Sequence, residues 1–295
     1  MFACMTALTA NAQFIFRVSG NGLEKPSYIL GSVHIASPDK LSSSANYAEA
    51  EQNTEQLYVE MDISNPQRMQ QVVEAGLDIA KLPDNKTFLD YMNDEQKTKL
   101  KETLKEKLFL DLDLPQSEQL LHMQPQLILM TIMNIETMKV MQKNPEFMVQ
   151  GVLDAYCINR AKERNWEIGE LDEILTKEEA AAKSPTIEAQ VDSLMNFINN
   201  YDKQIKAIED SYELIPKTCK YWEDNDFESF AKEPQINALL APQLFDDRNE
   251  KWFPKIVNAI KQKPTLFVFG CGHLIGDKGI LAMLKEAGYT TEQLK

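Results

Sequence analysis

The chain has 295 residues, of which 43% are apolar and 26% are charged, and its formal net charge at pH 7 is −14. A soluble globular chain of this length can bury a sizeable core, as one large domain or as a core with an inserted subdomain. The negative charge argues against binding to nucleic acid or anionic membrane surfaces, whose phosphates would be repelled, and no apolar run reaches the ~20 residues of a transmembrane helix.

Residues 1–12 are predicted to be a signal peptide that lacks its first residues. The stretch MFACMTALTANAQ has no charge, and Ala10-Asn11-Ala12 resembles a signal-peptidase site. The basic region that normally opens a signal is missing, which a late start assignment would explain, and the mature protein would begin near Gln13. The alternative is a short apolar leader that packs on the domain. We therefore expect an exported bacterial protein, either periplasmic or associated with the outer membrane.

Loss of this leader would also remove Cys4 and leave three cysteines, Cys157, Cys219 and Cys271. An odd number leaves at least one thiol unpaired in an oxidising compartment. Cys157 could pair with Cys219, but we expect all three to be small buried side chains.

The first predicted elements form a β-hairpin. FIFRV at 14–18 and YIL at 28–30 are separated by a polar turn with Gly and Pro. After His34, cap-forming residues begin an amphipathic helix, and LYVEMDI then contains a short strand that ends in acids.

The middle of the chain, about residues 65–261, is predicted to be a helical insertion. Segments such as MNDEQKTKLKETLKEKL place apolar residues three and four apart, and only WEIGELD is typical of a strand. The chain then ends with an apolar strand in TLFVFGCGH, a helix in GILAMLKEAG and a short strand in YTTEQL. The predicted architecture is α/β, in which strands from both chain ends form a mixed sheet within a single domain, 13–295.

Two of the three histidines follow apolar strands in the same motif, Gly-x-x-His: Gly31-Ser-Val-His34 and Gly270-Cys-Gly-His273. The glycine removes a Cβ where the chain leaves the sheet and permits a strained turn. The imidazole then lies beyond the carboxyl end of its strand, where open α/β sheets bind ligands. Either histidine alone could be an ordinary polar residue, but the repeated context predicts that the two meet in one site. His122, in a helical stretch, is expected to be structural.

Glu60 ends the strand LYVE at an equivalent position and completes a candidate metal site. Two imidazoles and a carboxylate suit Zn²⁺, Mn²⁺, Co²⁺ or Fe²⁺. Such an ion lowers the pKa of a bound water toward ~7 and polarises a carbonyl. We predict His34, Glu60 and His273 as ligands and Asp62 as an acceptor behind them, although Glu60 could instead cap the following helix. The glycines expected to line the bound ion are Gly31, Gly270 and Gly272.

These residues resemble the TraB/GumN family, which is related to the Tiki metalloproteases and PrgY. The family is marked by two Gly-x-x-His motifs and a strand-terminal Glu, here His34, His273 and Glu60. The likeness extends through QGVLDAYCINRAKERNWEIGELD and LFDDRNEKWFPKIVNAI to VFGCGHLIGDKGILAMLKEAGY. It implies a divalent-metal-dependent hydrolase, in particular a peptidase acting on a peptide or protein substrate. It leaves the substrate and the choice among Mn²⁺, Co²⁺ and Zn²⁺ open.

The resemblance also places the pair Arg248-Asn249 in the site. The planar fork of Arg248 could bind a carboxylate or a developing oxyanion, and Asn249 could bridge a ligand and a backbone group. Alternatively, Arg248 pairs with an acid where a helix begins. Asp154 and Glu170 are further candidates for supporting the ligands, although Asp154 also suits a helix N-terminus and Glu170 could tie its loop to the sheet.

Two rival functions are left open by the sequence. In the first, His34 and His273 hold haem iron or a metal without catalysis. In the second, hydrolysis needs no metal, and Glu60 and His34 transfer the protons. A haem absorption spectrum tests the first, and resistance to chelators would favour the second.

Overall fold

The computed structural model describes residues 13–34, 36–83, 85–144, 152–174, 179, 182–239 and 242–295. The predicted signal peptide, with Cys4, lies outside the described residues. The chain divides into two compact units: unit 1 comprises 1–66, 147–173 and 213–295, and unit 2 comprises 67–146 and 174–212. The predicted helical insertion, 65–261, therefore contributes residues to both units.

Unit 1 is built on a six-stranded mixed sheet, which confirms the predicted α/β class. Its strands are β1 (Phe14–Gly20), β2 (Ser27–Ser32), β3 (Gln56–Val59), β4 (Glu167–Glu170), β5 (Thr265–Gly270) and β6 (Tyr289–Gln293). They lie in the order β4-β3-β5-β2-β1-β6. Strands β4, β3, β5 and β2 are parallel, so their carboxyl ends meet at one edge, while β1 is antiparallel to β2 and β6.

The strands at the two chain ends pair as predicted. In the hairpin, Phe14 lies opposite Gly31, and in the β1–β6 pair Arg17 lies opposite Glu292. The hairpin turn uses Gly20 and Gly22, both at φ +81°, a left-handed conformation that glycine adopts without steric cost. The N- and C-terminal segments are thereby joined in one sheet.

Helices of unit 1 pack on this sheet. They are α1 (Pro38–Ser42), α2 (Ala45–Gln52), α7 (Leu153–Glu163), α10 (Phe227–Lys232), α11 (Pro234–Leu239), α12 (Pro242–Gln262) and α13 (Ile280–Glu286). A short 3₁₀ turn, Cys271–Leu274, follows β5 directly. The core of unit 1 joins strand residues such as Phe267 to helix residues such as Leu153, Trp222 and Trp252, each at most 1% exposed.

Unit 2 is helical in its described residues. Its helices are α3 (Pro66–Ala80), α4 (Asp94–Leu108), α5 (Glu118–Leu121), α6 (Pro125–Lys143) and α8 (Ile187–Asn199), with 3₁₀ turns at Phe88–Tyr91 and Pro115–Ser117. Helix α9 (Tyr201–Glu223) begins in unit 2, and its residues from Glu213 onward belong to unit 1. On α6, the buried residues Ile128, Ile132, Glu136 and Val140 recur every four residues and form one buried face of the helix.

The three cysteines of the described chain are free thiols. Burial raises the pKa of Cys157 and of Cys271 to about 12, so both are protonated at neutral pH. Cys219 is partly buried.

In the part of the chain that the structure describes, no helix combines the length and the apolar character needed to span a membrane.

Candidate active site at the carboxyl edge of the sheet

Four neighbouring strand ends place polar side chains at the carboxyl edge of the parallel strands. Glu60 follows β3, His34 follows β2 by two residues, Asp172 follows β4 by two residues, and His273 lies in the 3₁₀ turn after β5. Because the four strands are parallel and adjacent, these residues lie at one edge although they are far apart in sequence. The structure thus brings His34, Glu60 and His273 together.

A continuous set of contacts joins the two histidines through Glu60 and Arg248. Glu60 Oε1 lies 4.0 Å from His34 Nε2 and accepts a hydrogen bond from the Gly270 N–H at 2.7 Å. Glu60 Oε2 accepts from Arg248 Nη2, and Arg248 Nη1 lies 3.2 Å from His273 Nε2. The guanidinium therefore sits between the carboxylate and the second imidazole.

His34 is held by Asp154, in the first turn of α7. Asp154 Oδ2 lies 2.7 Å from His34 Nδ1, and because an ionised carboxylate only accepts, the imidazole Nδ1–H donates. This hydrogen bond raises the pKa of His34 above its ordinary value, and the charges of Asp154 and Glu60 act in the same direction. The His34 side chain is 52% exposed, so its Nε2 is within reach of a solute.

His273 is held by Asn249 in a single tautomer. Asn249 Nδ2 donates to the backbone carbonyls of His273 and Lys278, at 3.2 Å and 2.9 Å, so its Oδ1 is the acceptor that faces His273 Nδ1 at 2.6 Å. Nδ1 must then carry the proton, and Nε2 presents its lone pair to Arg248. The ring is 1% exposed and stacks on Trp252 at 4.1 Å between centroids.

The environment of His273 keeps it neutral. Burial, together with the positive charges of Arg248 and His34, lowers the pKa of His273 to about 3. A buried neutral imidazole with one nitrogen committed to an amide oxygen is suited to act as a hydrogen-bond acceptor or a metal ligand at Nε2.

Asp172 and Trp252 contact Arg248 in the site, although neither is among the residues predicted from the sequence. Asp172 accepts from Arg248 Nε at 3.3 Å, from Arg248 Nη2 at 2.7 Å and from Trp252 Nε1 at 2.8 Å. The guanidinium also lies over the Trp252 ring, 4.5 Å from its centroid. Two signals were present: Asp172 follows a strand as Glu60 does, and Trp252 stands four residues after Arg248 on one helix face.

Each of the two motif glycines, Gly31 and Gly270, lies so close to the other motif that a side chain there would crowd it. A Cβ on Gly31 would lie 2.5 Å from Leu274 Cδ1 and 3.2 Å from Cys271 Cβ, in the turn that contains His273. A Cβ on Gly270 would lie 3.2 Å from His34 Nε2. Each glycine thus makes room for the other motif. The strained turn expected at these positions is absent, since neither glycine has a positive φ.

The remaining candidate residues lie around this cluster or away from it. Strand β3 ends at Val59, and the Asp62 carboxylate accepts from the backbone N–H of Ser64 at 3.0 Å. Glu170 Oε1 accepts from the Asp62 N–H at 2.7 Å, which ties the loop after β3 to strand β4. Gly272 lies within the 3₁₀ turn. His122 lies in unit 2, where its Nδ1 is 3.0 Å from the Lys86 carbonyl oxygen.

A pH dependence of stability follows from the neutral His273. Its pKa is about 3 in the native protein and ordinarily 6.5, so between these values the unfolded chain binds a proton that the native protein does not. Stability from this residue is therefore complete above pH 6.5 and falls by up to about 1.4 kcal/mol per pH unit as the pH drops.

Urea unfolding of wild type and His273→Asn between pH 4 and 7 measures this effect. The wild-type free energy of unfolding is expected to decline more steeply with falling pH than that of the variant, by about one proton. His34 is intact in both proteins, so its opposite contribution cancels. Parallel curves would contradict a neutral His273.

The donor atoms of the site fit a divalent ion in type and protonation state. Both imidazoles commit Nδ1–H to an oxygen, which leaves Nε2 for a ligand, the arrangement usual for metal-binding histidines. His34 Nε2 and Glu60 Oε1 lie 4.0 Å apart, so a tetrahedral ion held at about 2.0–2.2 Å from each would require the two atoms to approach by about half an ångström. Among the residues that the structure describes, no group of three or more His, Cys, Asp or Glu side chains is placed to hold a metal ion, and Arg248 contacts both Glu60 and His273.

The fold and this edge define an α/β protein with a His/Glu/Arg/His cluster where parallel strands end. A sequence model of the TraB/PrgY/gumN family matches residues 14–293, nearly the whole chain. The chain therefore belongs to the TraB/PrgY/gumN family. No curated protein and no solved structure matches it significantly.

Proposed function

We propose that this protein is a hydrolase that cleaves peptide or related amide bonds at the carboxyl edge of its sheet. The main support is the contact series His34–Glu60–Arg248–His273, which combines a proton acceptor, a carboxylate and a fixed cation within one set of contacts. Amide hydrolysis needs these groups, because water must lose a proton and the carbonyl oxygen gains negative charge. We further propose that it acts after export, on the strength of the sequence Ala10-Asn11-Ala12.

In the first form of the proposal, His34, Glu60 and His273 hold a divalent ion. Bound there, the ion would supply a water of lowered pKa and would polarise the scissile carbonyl. The support is that Asp154 and Asn249 fix the tautomers that ligating imidazoles need.

The other side chains have roles that follow from their contacts. Asp154 orients His34 in both forms, and where no ion occupies Nε2 it also stabilises the protonated imidazole, which suits His34 to accept a proton from water and return it to the leaving amine. Arg248 offers N–H donors to the substrate carbonyl oxygen or to a substrate carboxylate. Asn249 holds His273, and Asp172 with Trp252 holds Arg248.

In the second form of the proposal, hydrolysis needs no metal. The observation that favours it is the position of Arg248, whose positive charge already lies between Glu60 and His273. Here His34, oriented by Asp154, acts as the base, and Arg248 stabilises the oxyanion.

Removal of divalent ions separates the two forms. Wild-type protein, stripped with a chelator, is incubated with a synthetic peptide library, and cleavage is detected by mass spectrometry before and after addition of Mn²⁺, Co²⁺ or Zn²⁺. We expect the cleavage rate to fall at least about tenfold on stripping and to return with one ion.

Plasma mass spectrometry of the same samples gives the metal content. Full activity in the stripped protein would favour the metal-free form. Stoichiometric metal uptake without cleavage of any peptide would contradict hydrolysis and favour the binding function.

A further inference from the structure

Arg248 contacts side-chain groups that a divalent ion would need as ligands. Its guanidinium contacts Glu60 through Nη2 and faces His273 Nε2 through Nη1 at 3.2 Å. These are two of the three side chains proposed as ligands. An ion bound to both would lie within a few ångströms of the guanidinium, where two positive charges repel strongly.

The same guanidinium has a second set of partners that do not include the proposed ligands. Asp172 receives two hydrogen bonds from it, at 3.3 Å from Nε and 2.7 Å from Nη2, and the Trp252 ring lies 4.5 Å away. Trp252 Nε1 in turn donates to Asp172 at 2.8 Å, which fixes that carboxylate. A guanidinium released from Glu60 therefore keeps a charged and an aromatic partner.

We propose that Arg248 is a tethered cation that exchanges with the divalent ion. In the ion-free protein it neutralises Glu60 and fills the space before His273. When an ion binds, Arg248 gives up these two contacts and stays on Asp172 and Trp252. This inference rests on the metal-dependent form of the proposed function.

The exchange would keep the Glu60 carboxylate paired with a positive charge whether or not an ion is bound. Glu60 is 20% exposed, and a carboxylate of such low exposure is unfavourable without a positive partner. Arg248 provides that partner in the absence of the ion, so the empty site is stable and folded. The consequence is a lowered affinity, because the ion must displace a cation that is covalently part of the chain.

Calorimetric titration with Mn²⁺ tests the exchange without any substrate. The Arg248→Gln variant is expected to bind Mn²⁺ at least about tenfold more tightly than wild type, since the competing charge is gone. The matched control is Lys255→Gln, which removes a cation from the same helix that pairs with Glu173 at 2.9 Å and not with a proposed ligand. That control should bind within about twofold of wild type. An Arg248→Gln protein that binds no more tightly than wild type, or not at all, would overturn the exchange.

A second pair of variants tests whether Asp172 holds Arg248 when the ion binds, and here the Mn²⁺ affinity is expected to fall. Asp172→Asn leaves Arg248 with Glu60 and His273 as its charged and imidazole partners, so Mn²⁺ affinity should fall at least about tenfold. Glu173→Gln removes the same charge one residue later, from a side chain that is 78% exposed, and should change the affinity less than about twofold. Equal Mn²⁺ affinities of the Asp172→Asn and Glu173→Gln proteins would contradict the proposal that Asp172 holds Arg248 when the ion binds.

Thermal unfolding provides a further readout. The ion-free Arg248→Gln protein should melt below wild type, and Mn²⁺ should raise its Tm by more than it raises that of wild type. The reverse order of the two Tm shifts would overturn the exchange. Failure of the exchange can be distinguished from failure of the proposed hydrolysis. A protein that shows these Mn²⁺ affinities but cleaves no peptide would contradict the proposed function and leave the exchange intact.

Discussion

Replacing His34 by alanine is expected to reduce peptide cleavage by about 10²–10⁴-fold, the range usual for loss of a positioned general base. The loss is expected in both forms of the proposed hydrolysis, because His34 is a ligand in one and the base in the other. The side chain is half exposed and packs little, so the variant should fold normally. The measurement is kcat/KM on the best peptide of the library, with circular dichroism to verify folding.

His122→Ala is the matched control for this variant. His122 is partly exposed and is also hydrogen-bonded, but to a backbone carbonyl in unit 2. Its removal should leave cleavage within about twofold of wild type. If His34→Ala retained full cleavage, neither form of the hydrolase could be correct. Asp154→Asn should retain more activity than His34→Ala, since it weakens the orientation of the ring without removing it.

Replacing Glu60 by glutamine is expected to have the second largest effect, a loss of at least about 10²-fold in cleavage. The substitution keeps the shape of the side chain but removes the charge beside His34 and the ion-pair partner of Arg248. Both the ligand role and the proton-transfer role of Glu60 require the carboxylate. Urea unfolding should also show a loss of about 1 kcal/mol, because Arg248 loses one of its two carboxylate partners.

Asp62→Asn is the control for Glu60→Gln. It removes a carboxylate two residues later whose described partner is Ser64, in the loop after β3. Cleavage should change less than about threefold, because this carboxylate has no described contact with His34, Arg248 or His273. Equal losses in the two variants would mean that general charge near the edge, and not Glu60 itself, supports hydrolysis.

The sheet and its edge could be predicted because strand ends are visible in the sequence. An apolar run followed by a polar residue marks the point where a strand leaves the core, and parallel pairing then brings such points together. His34, Glu60 and His273 all satisfy this rule. The same rule also fits Asp172, the last residue of WEIGELD, but the sequence analysis singles out only Glu170 from that predicted strand.

The contacts from helices could not be predicted in the same way. Only the family resemblance places Arg248 and Asn249 in the site, because the packing of a helix must be known before one can say which of its residues face a site. The role of Trp252 follows from that packing, four residues after Arg248. The division of the helical middle into two units was equally invisible, because amphipathic helices show the same periodicity whatever core they cover.

The reciprocal clearance at Gly31 and Gly270 changes what counts as one functional element. In sequence, each glycine belongs with the histidine three residues later. In space, Gly31 makes room for the turn of His273, and Gly270 makes room for His34. Each motif therefore depends on the glycine of the other. A relative that lacked the glycine equivalent to Gly31 would be expected to misplace the histidine equivalent to His273, and one that lacked the equivalent of Gly270 would misplace the equivalent of His34.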